Sequence, residues 1–360
     1  MPLLTLMIHT ASPDDFLKSQ GIRSYFDALI WNLREQTFQD FELVYVDTYY
    51  EENRQLFDKI VYVGHNSARA DIAFKFGVKH VPVHRDHRYW YDRGHCYIAA
   101  AKNTGILYAD GELCVSCDDA EFFPAHFLQG YVEHYRSGYR AHALHKRYRS
   151  VEISDKMPKY PLVGDEYRND HRWEYVKDGL YIHQHGSLCF AGTSFTLADA
   201  LTLNGYNERM DGCKSLDDCD FGNRQRLLGR TFVLDSAIYA CILDHGSYAT
   251  DIDHHWVGAV GEGQASAQPP HVRRIITNLV AVENHGMLRC GSDLLDIVAN
   301  KNPLTDQHMA IIRADTIKYQ HFDPLEPARA EALAIWKGTP TFDLKQQRAE
   351  LRSSPDWEWK

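Results

Sequence analysis

The stretch Leu113-Cys114-Val115-Ser116-Cys117-Asp118-Asp119-Ala120-Glu121-Phe122-Phe123-Pro124 runs an apolar strand straight into three carboxylates. A short apolar run of this kind reads as a strand buried inside a sheet. Asp and Glu are almost never left unpaired at a buried position, so the group at its end needs compensation. A hard divalent ion such as Mg²⁺ or Mn²⁺, held by one or two carboxylates together with substrate phosphates, would supply it. A local explanation competes: Asp118 and Asp119 could cap a helix that starts near Pro124. A bare Asp-Asp does not separate the two.

The surrounding pattern sets the frame. Leu3-Leu4-Thr5-Leu6-Met7-Ile8 reads as a first strand, and residues 25–37 have apolar spacing suited to a helix packed on a sheet. Phe41-Glu42-Leu43-Val44-Tyr45-Val46-Asp47 reads as a second strand ending in a carboxylate, and residues 60–63 and 78–83 are strand-like as well. Strands alternating with helical segments over residues 1–120 predict an α/β fold with a mostly parallel sheet between helices. Ligands of such sheets lie beyond the carboxyl ends of the strands, where Asp47 and Asp118 both fall.

A second acidic group follows at Asp217, Asp218 and Asp220, just ahead of Phe221 and a helical stretch from Arg224. Capping and helix-dipole stabilisation account for one of them, but three Asp in four positions exceed what a cap needs. A carboxylate here could take a proton from an attacking hydroxyl.

Here the residues meet a known pattern. Lys102-Asn103-Thr104-Gly105-Ile106, then Ala109-Asp110-Gly111-Glu112, the strand, the carboxylates and Pro124 resemble the R-N-x-G-I…A-x-G-E…D-x-D…P segment of family 2 glycosyltransferases. Gly205-Tyr206-Asn207-Glu208 followed by Asp217-Asp218-Cys219-Asp220 and Arg224 is similar to that family's G-[FY]-[DN]-E…[ED]-D-x-D-x-x-x-R segment. The passage Phe41–Asp47 fits as well, and the resemblance covers roughly residues 1 to 250. It implies a GT-A-type Rossmann-like sheet, a nucleotide-diphosphate-sugar donor (a UDP-sugar first), Mn²⁺ or Mg²⁺, and transfer with inversion. It implies that Asp47 meets the nucleoside with Thr10 at the first-strand exit, that Arg93, Asn103 and Arg224 are donor-side candidates, and that Asp118 and Asp119 serve ribose and metal. Asp118, Asp119, Glu121 and His245 are the implied metal ligands. His245 is included because it follows the strand-like residues 237–243, where metal-dependent relatives place a histidine. The motif's register puts the catalytic base at Asp218, with Asp217 as its alternate.

Departures are visible. Thr48-Tyr49-Tyr50 stands where the family has Asp-Gly-Ser, His9-Thr10 replaces the common Pro-Thr-Tyr, and the second Asp of an Asp-x-Asp falls on Ala120. Asn103 could instead hold the turn before Gly105, and Arg224 could pair with the acidic motif.

A net charge of −10 argues against a surface that coats nucleic acid. A local basic candidate runs through Arg140, His142, His145, Lys146, Arg147 and Arg149, equally explained by a strand and a solvated turn. No stretch approaches about 18 continuous apolar residues and the start lacks a signal pattern, so a cytoplasmic protein is expected. The eight cysteines are scattered; only Cys114 and Cys117 are close, and with no partners at ribbon-like spacing they read as reduced core thiols. Among the 20 histidines, His84-Arg85-Asp86-His87 and Asp253-His254-His255 could be imagined as zinc ligands, but most should be surface or hydrogen-bonded core residues.

The expected organisation is a glycosyltransferase domain over residues 1–265, with a nucleotide half to about 120 and an acceptor half beyond it. The acceptor half contains a loop-like polar and aromatic stretch over 148–181. A small-residue, proline-rich linker at 258–270 leads to a mostly helical extension over 266–360. That extension could dimerise, build the acceptor site or dock a partner. Two other classes stay open: a nucleotidyltransferase, which should show a Gly-rich basic signature after strand one that His9-Thr10-Ala11-Ser12-Pro13 does not supply, and a catalytically inactive nucleotide-sugar-binding module.

Overall fold

The computed structural model describes residues 1–10, 29, 32–48, 50, 77–93, 98–118, 121–148, 173–177, 180–183, 192–208, 211, 217–243 and 338–354. Their strands are β1 (Leu4–Thr10), β2 (Phe41–Asp47), β3 (Val78–Pro82), β4 (Leu113–Asp118), β5 (Glu121–Phe122), β6 (Arg140–Tyr148), β7 (Trp173–Lys177), β8 (Leu180–His183), β9 (Thr193–Thr196) and β10 (Phe232–Leu243). They form one ten-stranded sheet in the order β3-β2-β1-β4-β9-β6-β10-β8-β7, with β5 paired to β10. The α-helices are α1 (Ile98–Tyr108), α2 (Phe127–Arg136), α3 (Leu197–Thr202), α4 (Asp217–Leu227) and α5 (Leu344–Ser353).

β3, β2, β1 and β4 are parallel to one another, while β9 joins β4 antiparallel and opens a mixed half. The parallel strands are buried on both faces, which is why β1 and β2 read as nearly unbroken apolar runs. Side chains alternate across the sheet with period two. Leu4, Leu6 and Ile8 of β1 join Leu43, Val115, Cys117 and α2's Phe127 and Tyr131 on one face. Met7 joins Val44, Val46, Cys114 and the helices α1 and α4 on the other. Cys114 and Cys117 therefore lie on opposite faces as buried thiols outside any disulfide and cannot ligate one ion together; burial pushes the Cys114 thiol well up. The turn into β4 is tight: a Cβ on Gly111 would sit 2.5 Å from the Leu4 carbonyl carbon, so only glycine fits against β1.

The structure changes three local readings. The helix after the first carboxylates begins at Phe127, with His126 at its N-cap and no side-chain cap, so Asp118 does not cap it. Within the stretch 148–181, read as loop, lie β7 and the start of β8, which pair antiparallel at the sheet edge. Of the basic candidate, Arg140 and His142 are buried, Arg140 paired with Asp199 at 2.9 Å and His142 bonded to Thr193 at 2.5 Å, so neither belongs to a solvated patch. The segments 60–63, 149–172 and 258–336 lie outside the described residues.

Candidate active site

Parallel pairing brings the predicted strand ends together. In register, Thr10 lies beside Asp47 and Asp47 beside Pro82, while His9 lies beside Asp118. The order β3-β2-β1-β4 reverses direction at β1, and the crevice between β1 and β4 is the topological switch point where α/β sheets take ligands. Thr10 is buried and its carbonyl accepts from the Thr48 amide at 3.3 Å and hydroxyl at 3.0 Å, fastening the two strand ends. Asp47 is fully buried, with Oδ2 2.9 Å from His80 Nε2, and the Tyr50 ring lies 4.6 Å from the His80 ring. His9 donates from Nδ1 to the Cys117 carbonyl at 3.1 Å; burial first, then the nearby Lys102 ammonium, push its pKa down to about 3. Neutral and so bonded, it keeps an acceptor at Nε2, which has no hydrogen-bond partner among the described residues.

Beyond β4 the cleft is built by α1 and α4. Small residues Ala99, Ala100, Ala101 and Gly105 let α1 lie buried on every side against the sheet; a Cβ on Gly105 would already press on Met7 Sδ at 3.1 Å. Asp211 receives the first amides of this helix, Ala99 N–H at 2.8 Å and Ala100 N–H at 2.9 Å, the groups every helix start leaves unsatisfied. Burial, with Asp217 and Glu208 nearby, raises the Asp211 pKa well above the usual carboxylate range despite those amides. One turn on, Lys102 Nζ reaches Asp217 Oδ2 of α4 at 2.9 Å, both side chains 6% exposed, and lies 4.8 Å from the Tyr206 ring centroid. Burial opposes its charge, but Asp217, Asp218 and Asp118 together hold the ammonium above the ordinary lysine range. Asp118 keeps surface access at the strand tip, yet its carboxyl is raised by the protein packed around it and by Asp217, with Lys102 opposing. Lys102 is thus the electrostatic centre of a group comprising Asp118, Asp217 and Asp218.

The Gly205–Glu208 turn is pinned to α1 by Asn103. Its Nδ2 donates to the Tyr206 carbonyl at 2.9 Å and to Glu208 Oε1 at 2.7 Å, and its Oδ1 accepts from Tyr206 N–H at 2.7 Å. Gly205 has φ +66°, and a Cβ there would fall 2.2 Å from Asn103 Oδ1. Arg224 is fully buried and ties α4 to the same turn: it donates to Asp220 Oδ2 at 2.7 and 3.0 Å, to the Leu203 carbonyl at 2.7 Å and to the Gly205 carbonyl at 2.7 Å.

Of the predicted site residues, the structure brings Thr10 and Asp47 together at one strand end and Asp118, Asp217 and Asp218 around one cation. Asn103 and Arg224 direct the hydrogen bonds just described to the protein's own frame. Arg93 closes a 3-10 turn (Tyr91–Arg93), and Glu121 is placed by its backbone in β5 opposite Ile242; the side chains of both lie outside the described residues, as do Asp119 and His245. Among the described residues no group of three or more His, Cys, Asp or Glu side chains is arranged to hold a metal ion. What fits a cation is the crowding of Asp118, Asp217 and Asp218, which a single ammonium does not neutralise. Sequence reasoning missed Lys102 and Asp211 as site residues. Lys102 stands in the quoted motif where the family has Arg, and that basic position next to Asn103 was the available signal; Asp211 carried none.

No protein-family model matches the chain, and no curated protein matches it. Among solved structures the chain is similar to S. aureus TarS, at TM-score 0.47 and 12% identity, over 94% of this chain and 49% of TarS, so it spans about half the length of that protein. It is also similar to TarS 1-349 in complex with UDP-GlcNAc (TM-score 0.45, 14% identity, 94% of this chain and 81% of that one). A third similarity is to the mannosyltransferase PcManGT from Pyrobaculum calidifontis in complex with GDP-Man and Mn²⁺ (TM-score 0.46, 14% identity, 99% and 83%).

Proposed function

We propose that the chain is a GT-A-type glycosyltransferase that moves a sugar from a nucleotide-diphosphate sugar, a UDP-sugar first, to an acceptor hydroxyl of a glycan, a lipid-linked glycan or another acceptor, with inversion and with Mn²⁺ or Mg²⁺. The observation that carries this reading is the ion pair between Lys102 and Asp217, 115 positions apart in the chain, with Asp118 and Asp218 in its field at the switch point of the parallel sheet. Both acidic motifs thereby face one crevice.

In this reading Thr10 and Asp47 line the nucleoside end, with Arg93 on the donor side. Asp118, Asp119, Glu121 and His245 would hold the ion, which when bound would neutralise charge gathering on the departing diphosphate. Lys102 keeps Asp217 compensated and Arg224 keeps Asp220 compensated. Asp218 takes the proton from the acceptor hydroxyl as that oxygen attacks the anomeric carbon. A catalytically inactive nucleotide-sugar-binding module is the second reading, favoured by Ala120 and by Thr48-Tyr49-Tyr50 in place of the expected loop.

Incubation with a panel of nucleotide sugars and Mn²⁺, following release of free nucleoside diphosphate, tests the reading. Turnover of at least one donor, abolished by chelator and restored by Mn²⁺ or Mg²⁺, is expected. Binding of UDP without turnover of any donor would leave only the binding module, and full turnover in excess chelator would remove the metal.

A further inference from the structure

The C-terminal helix docks on the body of the protein at two places. Arg348 of α5, buried, donates to the Ile106 carbonyl at 3.1 Å and to the Leu107 and Ala109 carbonyls, supplying donors to the unsatisfied C-terminal end of α1. The other contact runs through His87 in the 3-10 turn Arg85–His87, whose side chain is fully buried. Its Nδ1 bonds Glu208 Oε1, the oxygen that also accepts from Asn103, and its Nε2 lies 3.1 Å from Gln347 Oε1 of α5. The Gln347 amide is oriented by its Nε2, which donates to Asp86 Oδ2 at 3.4 Å. The cleft beside these groups, lined by Asn204, Asn207, Thr341 and Phe342 among others, has room for about one water molecule, so it is a joint, not a ligand site.

We propose that His87 is a positioning residue that latches α5 to the Gly205–Glu208 turn and so couples docking of the C-terminal helix to the geometry of the carboxylate cleft. The functional half of this inference rests on the reading of that cleft as the active site. The chain of contacts is continuous. Gln347 holds His87, His87 holds Glu208, and Glu208 is held by Asn103 one residue from Lys102 and, through its carbonyl, by Trp90 Nε1 at 2.8 Å. Both partners of His87 present oxygen acceptors, so both ring nitrogens must donate, which only the imidazolium does.

The charged and titratable groups facing His87 are Glu208 on the turn, Asp86 and His84 on its own segment, with Gln347 and the Phe342 ring (4.7 Å) from the C-terminal side. Burial works against the charge, but Glu208, Gln347 and Asp86 prevail and raise the His87 pKa above the ordinary histidine value. A histidine whose folded pKa is raised stabilises fully below the unfolded value near 6.5, and loses that contribution as pH rises through the raised folded value. The latch is therefore shut below the unfolded value near 6.5 and opens as pH rises through the raised folded value.

Amide hydrogen exchange of the full chain, corrected for intrinsic rates at each pH from 5.5 to 9, reads this directly. In wild type, protection of residues 344–353 and of 205–208 should fall together by about tenfold as pH passes the raised value, the effect of losing one charge-assisted hydrogen bond. His87→Gln, which keeps a neutral donor, should start loosened in both segments and show no step, whereas Gln347→Leu, which removes only the helix half, should start loosened and lose the step at 344–353 but keep one at 205–208, with β1 and β4 protected as in wild type in both. A wild-type profile without a step, the same step retained in His87→Gln, or α5 loosening with pH in wild type while 205–208 stays unchanged would each overturn the proposal. The measurement needs no substrate, so an inactive wild-type protein would refute the proposed transfer reaction and leave the latch standing.

Discussion

Replacing Lys102 by Met tests the electrostatic design of the cleft while nearly keeping side-chain length. The ammonium and the Asp217 carboxylate are each 6% exposed, so the pair is screened little by solvent. Removing one member of a buried pair costs about 3–5 kcal/mol, most of it the penalty of leaving the other charge uncompensated. Here the penalty is compounded, because Asp118 and Asp218 lose the same cation. For a protein of this size roughly 2 °C of Tm per kcal/mol gives a drop of about 6–10 °C in calorimetry at pH 7 without metal. Asp217→Asn alone should also destabilise, by leaving Lys102 buried and unpaired, and the Lys102→Met/Asp217→Asn pair should lose less than the sum of the two, by about 1–3 kcal/mol. Mn²⁺ should raise the Tm of Lys102→Met more than that of wild type, since the added cation answers the charge the lysine had covered. A Tm within about 1 °C of wild type, or strictly additive losses in the double variant, would refute the reasoning.

Asp218→Asn keeps the shape of the side chain but removes the proton acceptor, so donor binding should survive in calorimetry while turnover falls roughly 10²–10⁴-fold, with Asp217→Asn doing less; wild-type turnover would move the base elsewhere. His245→Ala should raise the Mn²⁺ concentration needed for half-maximal turnover, and an unchanged requirement would remove it from the ligand set. Asp199 is buried, which alone would raise its pKa, but hydrogen bonds from Arg230 and Arg140 win and hold it below the usual range. Its contribution is therefore present above the unfolded value near 3.9 and lost as pH falls through the lower folded one. Asp199→Asn, by stranding the buried Arg140, should cost about 3 kcal/mol in urea unfolding at pH 7 and nearly nothing well below both values.

Much of the α/β frame was legible because it is written locally. The apolar runs of β1, β2 and β4, each closed by a polar residue at its carboxyl end, marked the strands, and parallel pairing makes those ends converge whatever lies between. The two acidic groups announced themselves by crowding beyond what caps require. Local pattern also misled: Asp118 sits at a plausible distance before a helix, yet the chain passes through β5 first and His126 takes the N-cap. The polar, aromatic residues around Trp173 and Tyr181 obscured a hairpin because an edge pair needs little regular alternation to be held by its neighbour β10.

By itself, then, the sequence determined the strands β1 to β4, the buried character of β1, β2 and β4, and the two places where carboxylates gather. Which groups compensate those carboxylates was decided only by the tertiary structure. Lys102 meets Asp217 across 115 positions, His87 meets Glu208 across 121 and Gln347 across 260, and Arg348 reaches the end of α1 from the far end of the chain. Periodicity reports how a segment meets its own faces, with periods of two or 3.6 residues. Ion pairs and latches depend on how the whole path folds back, and a buried charge takes whichever partner that path delivers within hydrogen-bonding distance.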